Sequence, residues 1–219
     1  MQKLTGYLLL GTVFFLLLQC SKGNAPVEKH IFYLHGRIIE EQGPNAVSEK
    51  YGPYAYTAII DSLKATGAVV HHELRTQETD FYQFAEHTSA QIDSLLAGGV
   101  DPRDITLIGA SKGAVMTMYI AHSNPAPINY VLLGANNDYI EQEYDWHLHG
   151  HILAVYERSD AVAGKNYDHW VANSPEVADF RQLEINTGLD HGFLYRPIDA
   201  WWQPAKAWVG RAVDAPSDK

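Results

Sequence analysis

ITLIGASKGAVMTMYIA, residues 105–121, is the stretch of sequence that decides the fold. Its apolar beginning, residues 105–108, predicts a buried strand, and residues 114–121 are compatible with a helix. Between them, Gly109-Ala110-Ser111-Lys112-Gly113 matches the pattern G-x-S-x-G, a tight turn that exposes a serine between a strand and a helix. A side chain at either glycine would collide with the neighbouring strand or helix. The turn is therefore predicted to hold Ser111 at the carboxyl edge of a sheet; the alternative is a glycine-rich turn with a buried serine.

Apolar runs and helical patterns alternate along the rest of the chain. Strands are predicted at Ile31–Leu34, Ala68–Leu74, Asp104–Ile108, Tyr130–Gly134, Ile152–Tyr156 and Arg181–Ile185, and helices at Tyr54–Ala65, Phe81–Ala97 and Asp199–Val209. Short strands that alternate with helices are typical of the α/β class, with a mostly parallel central sheet and helices on both faces. We expect no separate lid domain, and residues 135–150 are the only sizeable insertion-like loop.

Length and composition limit the possible functions. At 219 residues the chain is expected to form one domain, and its 46% hydrophobic and 19% charged residues are ordinary for a folded protein. The formal net charge of −10 argues against a nucleic-acid partner, which would require a basic face. It also disfavours charge-driven binding to anionic lipid.

The first residues have the pattern of an export signal. A short basic start precedes the apolar segment 7–18, which is too short to cross a bilayer but fits the core of a signal peptide. Cys20, the only cysteine, follows directly, and residues 17–20 (Leu-Leu-Gln-Cys) resemble a bacterial lipoprotein signal, with Leu17 in the expected place. Gln19 departs from that pattern, since a small residue is usual there. We expect lipid attachment at Cys20; the alternative is an ordinary secretory signal cut before Val27.

Either interpretation places the protein outside the cytoplasm, in a bacterial cell envelope as a periplasmic protein or a membrane-anchored lipoprotein. The predicted organisation is a signal peptide (1–20), a short flexible tether (21–27), one α/β domain (28–214) and a C-terminal tail (215–219).

Two polar residues downstream of the serine complete a possible catalytic set. A serine becomes a nucleophile when a histidine takes its proton and a carboxylate fixes that histidine, and after a G-x-S-x-G turn the chain order is serine, acid, histidine. Asp160 follows the predicted strand 152–156, where ligand-facing loops collect, although a turn or capping role is the alternative. Asp138 and Glu157 are rival acids. His191, followed by a glycine after the last predicted strand, is the candidate base; a solvated loop histidine is the alternative.

Hydrolysis through a serine also requires two backbone N–H groups that point at the developing oxyanion. Lys112, directly after the serine, would supply one. The second is expected from Gly36 or Arg37 in the loop after the first strand, since Gly36 allows the backbone to approach a substrate closely. His35 is expected to be structural, and the Lys112 side chain to be solvated.

The residues described above together resemble the motifs of a known protein family. The chain resembles a small, esterase-like member of the α/β-hydrolase superfamily over nearly everything from Ile31 to the C-terminal helix. The residues that carry it are Tyr33-Leu34-His35-Gly36, the turn at 109–113, the Asp160 loop and Asp190-His191-Gly192. The resemblance implies Ser111 as nucleophile, Asp160 as acid and His191 as base, an acyl-enzyme mechanism and no cofactor.

The sequence therefore predicts an exported serine hydrolase that acts on small or medium carboxylic esters, with peptidase or thioesterase activity open within the same mechanism. Its expected partners are a small-molecule ester and, through Cys20, a membrane. The fold also occurs in inactive binders, so a non-catalytic envelope binding lipoprotein is an alternative. A third is a metal-binding lipoprotein that uses His147, His149 and His151, which alternate in sequence. They lack an acidic or cysteine ligand at standard spacing, and no metal site is predicted.

Overall fold

Six parallel strands form the central sheet of the computed structural model, which describes residues 27–209. The strands of this sheet are β1 (His30–Leu34), β4 (Val69–His71), β5 (Ile105–Ala110), β6 (Asn129–Leu133), β7 (His151–Glu157) and β8 (Asp179–Ile185), and two further short strands are β2 (Val47–Ser48) and β3 (Gly52–Pro53). The sheet has the order β4-β1-β5-β6-β7-β8, and β2 and β3 form a small antiparallel hairpin beside it. The predicted signal peptide, Cys20 and the C-terminal tail lie outside the described residues.

Helices cover both faces of this sheet, as predicted. They are α1 (Arg37–Gln42), α2 (Tyr56–Lys64), α3 (Phe81–Ala97), α4 (Lys112–Ser123), α5 (Asp138–Glu143), α6 (Asp168–Asn173) and α7 (Asp199–Trp208). Buried residues of α1, α2 and α7 share one hydrophobic cluster, and those of α3 to α6 share another. Side chains alternate along each strand: Tyr33 enters the first cluster, and Phe32 and Leu34 enter the second. The sheet is thus buried on both faces, and the predicted α/β class is confirmed.

Three local predictions differ from the structure. The strand predicted at Ala68–Leu74 ends at His71, since β4 is an edge strand that pairs only with β1. The chain then leaves the sheet, and the Arg75 N–H donates to the His35 ring instead of to a strand. The segment 135–150, predicted as a loop, contains α5, and the short helices α1 and α6 were not predicted.

The strand order creates a crevice where the chain changes direction. From β1 the chain moves outward to the edge strand β4, then crosses back to form β5 on the other side of β1. The helices that follow β1 and β5 consequently lie on opposite faces, and a crevice opens between them at the carboxyl ends of the two strands. Gly36 follows β1 and Ser111 follows β5, so the predicted nucleophile and oxyanion loop meet in this crevice.

Both ends of the described chain lie at the amino ends of the strands, opposite the crevice. Lys29, just before β1, accepts a hydrogen bond from the backbone of Val69 at the start of β4. At the other end, the Trp208 indole donates to the carbonyl of His151, the first residue of β7. The carboxyl ends of the strands, and the crevice with them, therefore face away from both chain ends. Between residues 27 and 209, none of the helices has the length and hydropathy needed to cross a bilayer.

Candidate active site

Ser111 occupies a strained turn between β5 and α4. Its backbone has φ 53° and ψ −122°, a conformation that L-residues adopt rarely. The glycines on either side permit the turn. A Cβ on Gly109 would overlap the Gly113 carbonyl and the Thr117 hydroxyl, and a Cβ on Gly113 would overlap the Leu34 carbonyl of β1. The steric reason predicted for both glycines is confirmed, and the close packing at Gly109 and Gly113 holds the strained backbone of Ser111 in place.

Ser111, His191 and Asp160 form a continuous chain of hydrogen bonds. The Ser111 Oγ lies 2.9 Å from His191 Nε2, and His191 Nδ1 lies 2.7 Å from Asp160 Oδ2. These residues are 80 and 31 positions apart in sequence, and three different loops bring them together. The His191 side chain is 12% exposed and the Asp160 side chain is fully buried. The structure therefore brings together the three residues that the sequence analysis selected.

The hydrogen bonds around Asp160 favour one tautomer of His191. Its Oδ1 accepts bonds from the backbone N–H groups of Val162 and Ala163, at 2.8 and 3.0 Å. With Oδ1 occupied by these donors, Oδ2 accepts the Nδ1 proton of His191, and Nε2 keeps its lone pair. Ser111 then donates its hydroxyl proton to Nε2. This is the tautomer that a general base requires.

Neither rival acid contacts His191. Asp138 lies in the first turn of α5, where its 81% exposed side chain pairs with Lys165 at 2.6 Å. Glu157 ends β7, is fully buried, and accepts hydrogen bonds from Ser159 and Thr187. Of the three carboxylates considered from the sequence, Asp160 alone lies against the histidine.

Contacts around Asp190 fix the loop that carries His191. Asp190 has a positive φ of 52°, and its Oδ1 accepts the backbone N–H groups of His191 and Ala161. Lys50, near the β2–β3 hairpin, binds the other carboxylate oxygen at 2.5 Å, and this hydrogen bond lowers the pKa of Asp190 to about 2. The ring of Tyr51 fills the space where Gly192 would carry a side chain. Three separate loops thus converge beside the histidine.

The predicted oxyanion donors begin two helices. Lys112 is the first residue of α4 and Arg37 the first residue of α1, so neither backbone N–H has a partner within its own helix. Gly36 precedes α1 and lies against Ser111: a Cβ on Gly36 would be 3.3 Å from the Ser111 Cβ. The structure therefore places Gly36 and the beginnings of both helices beside Ser111.

A buried ionic network that the sequence did not reveal lies behind these helix starts. Glu40 of α1 accepts bonds from Arg75 Nε at 2.8 Å and from Lys112 Nζ at 2.5 Å, and the Arg75 side chain is fully buried. The expectation that the Lys112 side chain is solvated is wrong, because it ties α4 to α1 through Glu40. Burial lowers the pKa of Arg75, but a guanidinium paired with a carboxylate stays charged.

His35 is held neutral beneath the same loop. The Arg75 backbone N–H donates to its Nε2 at 2.9 Å, so Nδ1 carries the proton and donates to the Gly36 carbonyl at 3.0 Å. Burial, with a further contribution from the Arg75 guanidinium, lowers the pKa of His35 to about 4. His35 thus packs below the loop at Gly36, with both ring nitrogens bonded to the backbone, as expected for a structural residue.

The site opens into a cleft of about 810 Å³. Ser111 and His191 line it. Polar and apolar surface contribute almost equally to its lining, and the apolar and aromatic side chains on its two sides include Ile38, Tyr54, Leu194 and Tyr195, and Phe81, Val115, Ile140 and Tyr144. Arg37, Glu41 and Glu49 add charges to the lining. A volume of this size accommodates a small organic molecule.

The alternating histidines do not assemble into a metal centre in the part of the chain that the structure describes. His147 contacts the carbonyl of Asn173, His149 pairs with Glu176 at 3.2 Å, and His151 begins β7. Across residues 27–209, no three histidine, cysteine or acidic side chains are grouped as metal ligands.

Solved structures resemble this chain in fold. The described chain has the α/β-hydrolase fold, as its solved neighbours do. Arabidopsis thaliana SOBER1 matches with a TM-score of 0.54 and 13% identity, over 83% of this chain and 97% of that one. A predicted CIB-like hydrolase from Thermoplasma acidophilum matches with a TM-score of 0.55 and 14% identity, over 84% and 87%. The Pyrococcus furiosus esterase Pf2001 matches with a TM-score of 0.54 and 13% identity, over 84% and 80%. No family model and no curated protein matches the sequence.

Proposed function

We propose that this protein is a serine hydrolase that cleaves small or medium carboxylic esters. The hydrogen-bonded series Ser111–His191–Asp160 is the observation that carries this proposal. A serine in a strained turn, bonded to a histidine whose other nitrogen is bonded to a buried carboxylate, is the arrangement of an activated nucleophile. An inactive scaffold has no physical reason to keep all three groups in register. The esterases and hydrolases among the neighbours of similar fold agree with this activity.

The contacts support the following reaction. Ser111 Oγ attacks the ester carbonyl as His191 Nε2 takes its proton, and Asp160 stabilises the imidazolium that forms. The backbone N–H groups of Lys112 and Arg37 bind the developing oxyanion. His191 then gives the proton to the departing alcohol, which leaves an acyl group on Ser111. Water, deprotonated by the same histidine, attacks the acyl-enzyme, and the carboxylic acid and free serine are released.

The cleft supports esters of modest size as substrates. The apolar side chains in its lining suit the hydrocarbon parts of an acyl and an alkoxy group, and its volume suits a molecule of small to medium length. Amides and thioesters would use the same groups, so a substrate panel that varies the leaving group and the acyl length decides among esterase, peptidase and thioesterase activities.

Covalent labelling with a fluorophosphonate probe, read by intact mass, tests the proposal. We expect one adduct on the wild-type domain from Val27 onward and none on Ser111→Ala. Ser89→Ala is the matched control, since Ser89 lies on α3 and its hydroxyl accepts a bond from Asn124 outside the cleft. Retention of the adduct in Ser111→Ala, or absence of labelling in folded wild type, would refute the proposed nucleophile and favour the non-catalytic binding protein.

We also propose that the protein is exported and anchored by lipid at Cys20. The basic start, the apolar segment 7–18 and the cysteine directly after it support this proposal. Expression of the full chain with a radiolabelled or alkyne-bearing fatty acid tests it. We expect label on the wild type and none on Cys20→Ala, and an unlabelled wild type that is recovered in the periplasm would support an ordinary cleaved signal instead.

A further inference from the structure

Glu157 is a buried carboxylate whose hydrogen bonds join the two loops that carry the acid and the base. Its Oε1 accepts the backbone N–H and the hydroxyl of Ser159, at 3.2 and 2.9 Å. Its Oε2 accepts the backbone N–H and the hydroxyl of Thr187, at 2.8 and 2.7 Å, and the Gly188 N–H approaches Oε1 at 3.4 Å. Ser159 directly precedes Asp160, whereas Thr187 and Gly188 begin the loop that leads to His191.

A second connection runs through the Ser159 hydroxyl. While this hydroxyl donates to Glu157, it accepts the backbone N–H of Asp190 at 3.1 Å. Asp190 in turn accepts the backbone N–H of Ala161. The residues on both sides of Asp160 are thus bonded to the residue that precedes His191, and Glu157 lies at the base of this network.

The environment of Glu157 differs from that of an ordinary buried salt bridge. The residue is fully buried, and its five hydrogen-bond donors are neutral backbone and hydroxyl groups. Burial by itself would raise its pKa, but the bonds from Thr187 and Ser159 outweigh burial and lower the pKa of this carboxyl. The charge is therefore maintained near neutral pH by the two loops that it joins.

We infer that Glu157 is a positioning residue for the Asp160–His191 pair. The inference rests on the proposed function, because the pair has a catalytic task only in a hydrolase. The 2.7 Å contact between His191 and Asp160 requires the loops after β7 and β8 to keep one relative position. Glu157 fixes that position from the side of the loops remote from the substrate, and it does not line the cleft.

Glu157→Gln isolates this role. An amide has nearly the shape of a carboxylate but replaces one acceptor with two N–H donors. In one orientation the new donor faces the Thr187 N–H, and in the other it faces the Ser159 N–H. Each orientation loses a backbone hydrogen bond to one of the two loops, so the link between acid and base loosens in both. Glu184→Gln is the matched control, since Glu184 is a carboxylate on β8 that pairs with Arg158 at the surface.

Steady-state kinetics and proton NMR together test the inference. We expect kcat for ester hydrolysis to fall about 10²-fold in Glu157→Gln, as for a misplacement of about 1 Å. KM should change less than about twofold, since Glu157 does not touch the substrate. We also expect the downfield resonance of the His191 Nδ1 proton to broaden or disappear. Glu184→Gln should retain wild-type kcat and resonance.

A lowered melting temperature with unchanged kcat and an intact Nδ1 resonance would overturn the inference, since it would assign Glu157 to stability alone. If Glu157→Gln does not fold, Ser159→Ala decides instead, because it removes the link between Asp190 and Glu157 and leaves the bonds from Thr187. If wild type neither hydrolyses esters nor reacts with a fluorophosphonate, the proposed function fails. The Nδ1 resonance then still reports whether Glu157 positions the pair.

Discussion

Replacement of Asp160 by asparagine should reverse the tautomer of His191. In the structure the Asp160 Oδ1 accepts two backbone N–H groups, from Val162 and Ala163. The amide of Asp160→Asn must place its oxygen there, because its NH₂ group would otherwise face two donors. The NH₂ group then faces His191 Nδ1, which becomes an acceptor. The ring proton moves to Nε2 and points at Ser111, so the histidine no longer takes the serine proton.

The expected cost follows from this change. The wrong tautomer in a Ser-His-Asp site lowers kcat by about 10⁴-fold, which corresponds to about 5.5 kcal/mol of transition-state stabilisation. The fold should lose little, because both backbone bonds to the side chain at position 160 remain. A large kinetic loss with a nearly unchanged melting temperature is therefore the signature of this substitution.

Hydrolysis of a p-nitrophenyl ester of short acyl length, with melting temperature measured in parallel, provides the assay. Asp138→Asn is the matched control, since Asp138 is a solvent-exposed carboxylate paired with Lys165, and it should keep wild-type kcat. A larger loss in Asp138→Asn than in Asp160→Asn would refute the assignment of the acid. Retention of more than about a tenth of the activity in Asp160→Asn would refute the tautomer argument.

Three further predictions follow from the packing and burial of the site. Gly36→Ala places a Cβ 3.3 Å from the Ser111 Cβ, and kcat should fall about tenfold with little change in melting temperature; an unchanged kcat would show that the oxyanion loop adapts freely. Gly113→Ala drives a Cβ into the Leu34 carbonyl, and urea denaturation should show that the free energy of unfolding falls by about 3 kcal/mol, whereas wild-type stability would contradict the described turn at 109–113. The pKa of His35 is lowered to about 4 in the folded state, so as pH falls the unfolded chain takes up a proton at this histidine at a higher pH than the folded chain does. The stabilisation that the neutral His35 ring contributes is complete above about pH 6.5, and about 3 kcal/mol of it is lost as pH falls towards about 4. Denaturation at several pH values should show that the free energy of unfolding falls less steeply with falling pH in His35→Gln than in the wild type.

The elements that could be predicted from sequence are those with strong local signals. The helix predicted at Phe81–Ala97 has those bounds in the structure, because the Asp80 carboxylate caps its first turn by accepting the Gln83 N–H and glycines follow its end. The helices α1, α5 and α6 were missed since each has six residues, too few to display a helical period.

Some residues of the candidate site could likewise be predicted from local sequence signals, and others could not. The turn at 109–113 has a local pattern, and chain order then selected Asp160 and His191, which the structure brings to hydrogen-bonding distance of one another. Glu40 and Arg75 gave no such signal, because charged residues are normally expected at the surface and their contact joins positions 35 apart. Glu157 was visible only as a rival acid; its bonds to Thr187 depend on how the ends of β7 and β8 are aligned, which sequence does not specify.

The location of both ends of the described chain, at the amino ends of the strands, determines how an immobilised form of the protein would face its surroundings. A bead or a fusion partner joined directly at residue 27 or 209 would stand behind the sheet, with the entrance to the cleft directed outward into the solvent. Such an orientation admits molecules that diffuse in the aqueous phase and turns Ser111 away from the supporting surface. A tag at either of these two residues consequently leaves the entrance to the cleft open.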